Sequence, residues 1–187
     1  MKSLLAISSI VFTIGVLSIP AVWSDDDFNW KEMGKYRDKS SDVAALTNPL
    51  YKEECGSCHM SYPPGLLPER SWLRMMSGLE DHFGDNAELD SDTARLIEQF
   101  LVTNSADKSD YRKSARFNQS INKSNIPLRI SEVSYFKHEH DEIPQRLVSG
   151  NPQVKSFSDC IACHINAEQG QFNEDDVKIP GYGQWDD

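Results

Sequence analysis

The 187-residue chain has four cysteines, and all of them fall in two five-residue runs, Cys55-Gly56-Ser57-Cys58-His59 and Cys160-Ile161-Ala162-Cys163-His164. Each run has the Cys-x-x-Cys-His spacing of a c-type haem attachment site. On a helix, positions i, i+3 and i+4 share one face, because each residue turns the chain by about 100°. Two thiols on that face can bond the two vinyl groups of one porphyrin, and the histidine then meets the iron as its proximal ligand. With five histidines in the chain, one falls at a given place with a chance of roughly 3%, so both placements arise by accident about once in a thousand. Zinc, two disulfides and a redox dithiol are the competing uses of paired cysteines. None of them needs a histidine directly after each pair. The reading is two covalently attached haem c groups, with Cys55, Cys58, Cys160 and Cys163 as thioether residues and His59 and His164 as iron ligands.

The first residues read as an export signal. Lys2 supplies the positive start, residues 4–19 are apolar apart from small Ser, Thr and Gly, and Val22-Trp23-Ser24 resembles a cleavage site. Cleavage is expected after Ser24, and an uncleaved anchor is the alternative. Export to the periplasm agrees with the motifs, because covalent haem attachment happens outside the cytoplasm. No later stretch is apolar enough to span a bilayer.

The formal net charge is −10, about −11 once Lys2 leaves with the signal. Basic runs are lacking, which argues against nucleic acid as a partner. The acidic surface suits either a basic protein partner or simple solubility. Only 39% of the residues are hydrophobic, so a small apolar core is expected, with haem supplying further apolar surface.

The expected fold is mainly α: a small cytochrome c-like helical haem domain plus a loop-rich second haem-binding segment. The expected divisions are a signal at 1–24, a polar arm at 25–47, a first haem domain at 48–104, a connector at 105–125 and a second haem domain at 126–187. Asn48-Pro49 is a helix start, with Asn as N-cap and Pro at the first position, and predicts a helix over 49–58. Tyr62-Pro63-Pro64-Gly65 forces a loop, expected to run along the haem edge. Trp72, Met75, Met76, Leu79, His82 and Phe83 fall at helical spacing and predict a helix over 68–83 that Gly84 stops. Asp90 or Ser91 caps a helix over 92–102, with Ala94, Ile97 and Leu101 inward. The connector holds a short helical piece at 111–117. Ser158 caps a helix over 159–165 that carries the second motif, and the tail after Pro180 is turn or coil.

Two irons need sixth ligands. The methionines stand at 1, 33, 60, 75 and 76, so the second half has none to offer. Its distal ligand is expected from His138 or His140, giving a low-potential bis-histidine site. For the first haem, His82 lies 23 residues after His59 and is the favoured ligand; Met75 and Met76 are the alternatives, although both suit a core-filling role. A crossed arrangement, with His82 serving the second haem and His140 the first, is also open.

The chain resembles the dihaem cytochrome c family of bacterial periplasms. The matching pieces are Tyr51 with the first motif, Tyr62-Pro63, Leu67-Pro68 and Ser71-Trp72, followed by His82-Phe83-Gly84-Asp85-Asn86-Ala87. In the second half they are Tyr135-Phe136, His140 with Glu142-Ile143, and the second motif. The resemblance runs from about Pro49 to Pro180. It implies bis-histidine ligation at both haems, with His140 as the distal ligand of the second and His138 as a spare. Tyr135 stands where Trp is expected. The resemblance further implies a carrier that takes electrons from a membrane b-type cytochrome and passes them to a small oxygen-binding haem protein. On that reading there is no catalytic residue and no small-molecule substrate. The rival is a dihaem redox enzyme, of peroxidase or nitrogen-oxide reductase type, which requires one iron with an open site.

Overall fold

A computed structural model describes residues 42–185, all within one compact unit, Lys31–Asp187. The expected signal and most of the polar arm lie outside the described residues. Helix dominates, loops are long, and one two-stranded hairpin is the only sheet among the described residues. No described helix is long and apolar enough to cross a membrane.

The first helix, α1 (Pro49–Cys55), starts as its sequence dictates. The Asn48 side chain accepts from the Tyr51 backbone N–H, and Pro49 sits where a missing N–H costs nothing. It ends at Cys55, three residues short of the expected bound, because Gly56 closes on the Lys52 carbonyl and the chain leaves the helix. Pro64–Leu66 is a single 3-10 turn. The next helix, α2 (Glu69–Met76), covers half of the expected 68–83. Ser77 caps it, Gly78 follows, and a 3-10 turn at Leu79–Asp81 leads to His82. The apolar period carried on past Met76, but Ser77-Gly78 is a weak helix pair and ends the run first.

Helix α3 (Ser91–Thr103) is capped by the Asp90 carboxylate, which accepts from the Asp92 and Thr93 N–H groups. Its inward residues Ile97 and Leu101 are fully buried. Residues 105–125, read as a connector, carry α4 (Arg112–Ser120), which starts one residue later than the expected piece and runs three residues further at its C-terminal end. Its Phe117 joins the same core as Tyr51, Trp72 and Phe136. Helix α5 (Ser134–His138) is one and a half turns.

The core has two parts. The larger gathers Val43, Leu46, Tyr51, Leu66, Leu67, Trp72, Ile97, Leu101, Phe117, Ile121, Val133 and Phe136, so residues from both halves of the sequence build it. The smaller holds Val148, Val154, Val177 and Ile179. The tail is not plain coil: β1 (Lys178–Ile179) pairs antiparallel with β2 (Gly183–Gln184). Ile179 is buried there, so the hairpin is a lid on the smaller cluster.

Residues 42–46 form a clasp. The Asp42 and Val43 N–H groups donate to the Gly170 carbonyl at 2.8 and 3.1 Å, and Leu46 N–H to Glu168 at 3.0 Å. Gly170 is obligatory at this crossing. Its φ is +74°, and a Cβ there would run into the Val43 carbonyl.

Candidate haem sites

Neither motif is a full helix. Cys55 is the last residue of α1, and Gly56, Ser57 and Cys58 form a turn. The second motif is a lone 3-10 turn, Cys160–Ala162, with Asp159 and not Ser158 at its start. Cys163 N–H donates to the Cys160 carbonyl at 3.2 Å and His164 N–H to the same carbonyl at 2.8 Å. One turn is enough to bring thiols and imidazole to the same side. No disulfide joins any of the four cysteines.

Four of the five histidines meet in two pairs. The His59 and His82 rings lie 6.1 Å apart between centroids, with their planes at 22°. The His140 and His164 rings lie 6.2 Å apart, at 72°. A first-row metal bonds an imidazole nitrogen at about 2.0–2.1 Å, and a five-membered ring with bonds of about 1.33 Å has a radius of about 1.1 Å. An iron held between two imidazoles thus sets the centroids about 6.2–6.4 Å apart. The second spacing falls at the edge of that range and the first lies 0.1 Å short of it. Among the described residues no three His, Cys, Asp or Glu side chains converge on one metal position. Zinc would need about four protein ligands, whereas a porphyrin brings four nitrogens of its own and asks the chain for two.

His59 Nδ1 lies 2.7 Å from the Met60 carbonyl oxygen, and His140 Nδ1 lies 2.8 Å from that of Phe136. A carbonyl only accepts, so each Nδ1 carries the proton and each Nε2 lone pair is free for iron. His82 sits in a turn, not on the face of α2. Its N–H donates to the Asp85 carbonyl at 2.7 Å, and Gly84 N–H donates to Asp81 Oδ1 at 3.0 Å. Phe83 and Gly84 take positive φ of 58° and 103°; glycine accepts this freely, while Phe83 is strained. The Phe83 ring rests edge-on against His82 at 4.9 Å, under the Arg129 guanidinium at 3.9 Å.

The second pair is more enclosed. A cavity of about 290 Å³ adjoins it, lined by Phe136, Ile143, Val148, Phe157 and both motif cysteines. Phe136 stacks on His140 at 3.9 Å and 10°, while Phe157 and Phe172 meet His140 and His164 edge-on at 5.7 and 5.4 Å. His138 points elsewhere: its side chain is 80% exposed and lies 3.9 Å from Asp141. Met75 and Met76 pack, half-buried, on the larger core.

Burial sets the protonation states. It pushes the His164 imidazole down to about 4, with His140 adding to the effect. Burial also lowers His140 and His82. Neutral imidazoles are what a metal binds. Burial raises the Cys55 thiol to about 11 and Cys160 to about 12.

Residues 51–172 match the family model described as dihaem cytochrome c. The chain belongs to the dihaem cytochrome c family. This dihaem cytochrome c is similar to the crystal structure of a dihaem c-type cytochrome from Shewanella baltica OS155, at 45% identity and a TM-score of 0.63. That match covers 74% of this chain and 98% of that one. A dihaem cytochrome c from Rhodobacter sphaeroides matches at 41% identity and a TM-score of 0.63, over 70% of this chain and all of that one. No curated protein sequence matches the chain. Family membership brings two haem groups, with a pair of cysteines at each motif for covalent attachment.

Sequence reasoning missed several contacts of these sites. Phe157 and Phe172 are lone aromatics in loops, with no pattern to single them out. Tyr62 was legible as part of a loop and of the family resemblance, but not as a ring that stacks on His59 at 5.0 Å. Trp72 was read as a core residue. It also donates its indole N–H to the Pro64 and Leu67 carbonyls, at 2.8 and 3.1 Å, and so pins the loop that follows the first motif.

Proposed function

We propose that this protein is a periplasmic electron carrier in which both irons are six-coordinate, His59 with His82 and His164 with His140. The observation that carries the reading is the pair of imidazole spacings, 6.1 and 6.2 Å. Haem iron supplies one-electron exchange between its ferric and ferrous states. The protein's own part is to fill both axial positions, so that no substrate reaches the metal. His59 and His140 are held by backbone carbonyls, His82 by its turn, and His164 by the Cys160 turn. Histidine on both sides favours the ferric state more than a Met/His pair does, so low potentials follow. His138 has no role at the iron.

The carrier takes electrons from a membrane b-type cytochrome and delivers them to a small haem protein, after export through its N-terminal signal. The net charge of −10 suits a basic docking face on a partner. Such contacts speed encounter and weaken as salt screens them.

The test is spectroscopic. The oxidised protein should show two low-spin ferric signals by low-temperature EPR and lack the far-red methionine-to-iron charge-transfer band. The reduced protein should not bind carbon monoxide rapidly. Rapid binding at one haem would overturn the carrier reading in favour of an enzyme with an open iron.

A further inference from the structure

We propose that Tyr62 is the positioning residue that ties the two haem sites together: its ring seats the His59 imidazole, and its hydroxyl holds the backbone of the Cys160 turn. This rests on the assignment of His59 and His164 as iron ligands.

The Tyr62 ring lies 5.0 Å from the His59 ring, with the planes at 28°. The Tyr62 hydroxyl donates to the Ser158 carbonyl at 2.8 Å, across 96 residues of sequence. Ser158 stands two residues before Cys160, whose Sγ lies 3.8 Å from that same carbonyl. Tyr62 is itself anchored, because the Tyr51 hydroxyl donates to its carbonyl at 2.9 Å. Tyr51 is rooted in α1, the helix that ends at Cys55. A relay of two phenols therefore runs from the helix bearing the first motif to the turn bearing the second. Among the described residues, no backbone hydrogen bond joins 59–63 to 156–163.

The arrangement has a consequence for function. The second motif is a bare 3-10 turn without a helix to stiffen it. Something else must hold it at a fixed place relative to the first motif. Two sites that exchange electrons within one molecule need a constant separation, and Tyr62 supplies a strut from the proximal ligand of one to the thioether turn of the other.

The test compares wild-type protein carrying both haems with Tyr62→Phe, which keeps the ring and loses the hydroxyl, and with Tyr62→Leu, which loses both. Asp90→Ala, which uncaps α3 and leaves the hydrogen bonds of Tyr51 and Tyr62 in place, controls for general destabilisation. The readouts are haem content by mass, low-temperature EPR, and amide hydrogen exchange. Tyr62→Phe should retain two haems and an unchanged haem 1 signal. Amides at 159–164 should exchange several-fold to about tenfold faster, the span expected from one net hydrogen bond, and the haem 2 signal should broaden. Tyr62→Leu should also shift the haem 1 signal. Wild-type exchange at 159–164 together with an unbroadened haem 2 signal in Tyr62→Phe overturns the proposal. A wild-type protein without two bis-histidine signals overturns the ligand assignment instead. Should Tyr62→Phe fail to accumulate, exchange in the wild-type protein at rising denaturant decides. Joint opening of 60–62 and 158–163 with one denaturant slope supports the strut, and independent openings reject it.

Discussion

The two histidine pairs have nearly equal spacing and very different surroundings. At the first, His59 and Cys58 are exposed, the rings are close to parallel, and His82 hangs on a turn with a strained Phe83. At the second, both imidazoles are partly buried among Phe136, Phe157 and Phe172, and their planes are close to perpendicular. On the proposed ligation, one iron–imidazole bond length would set the spacing at both. Orientation and enclosure are set by the packing behind each ring, which differs. One chain thus holds two chemically identical groups in two environments, which is how a dihaem carrier obtains two distinct centres.

Identical low-spin signals from the two oxidised haems would erase that difference. Parallel imidazoles split the iron π-type orbitals and perpendicular ones leave them nearly degenerate. The 22° site should therefore give an ordinary rhombic EPR signal and the 72° site a strongly anisotropic one. Removing a distal ligand has an equally large effect. His140→Ala should leave haem 2 five-coordinate and open to carbon monoxide, while haem 1 stays closed; His82→Ala should do the reverse. His138→Ala should change neither, since that side chain is exposed.

Phe136 is 7% exposed and belongs at once to the larger core and to the stack on His140. Phe136→Ala should cost about 3–5 kcal/mol, read by denaturant unfolding, and should disturb the haem 2 signal before that of haem 1. Trp72→Phe leaves the Pro64 and Leu67 carbonyls without their indole partner. It should cost about 1–3 kcal/mol and act on the haem 1 side. Equal disturbance of both signals by either variant would show that the sites are not packed independently.

Much of this was readable in residue order, and for physical reasons. Capping is local, so Asn48-Pro49 and Asp90 marked two helix starts correctly. The end of α2 was misplaced because apolar period persists through Ser77-Gly78 while backbone propensity does not. Helix α4 was legible only as a short piece at 111–117 because its buried face is short: Ser114, Ala115 and Phe117 are all that it buries. The tail hairpin has only four paired residues, too few for alternation to show.

The sequence alone determined the cofactor and its number. Covalent chemistry is set by residue type at fixed short spacing, and Cys-x-x-Cys-His survives whether the backbone is a helix, a turn or a 3-10 loop. Only the tertiary structure decided which histidines face each other, at what angle, and that Tyr62 reaches from one motif to the other. Those are contacts between residues 23 to 96 positions apart. They depend on how loops close around a shared core, and no local pattern encodes that closure.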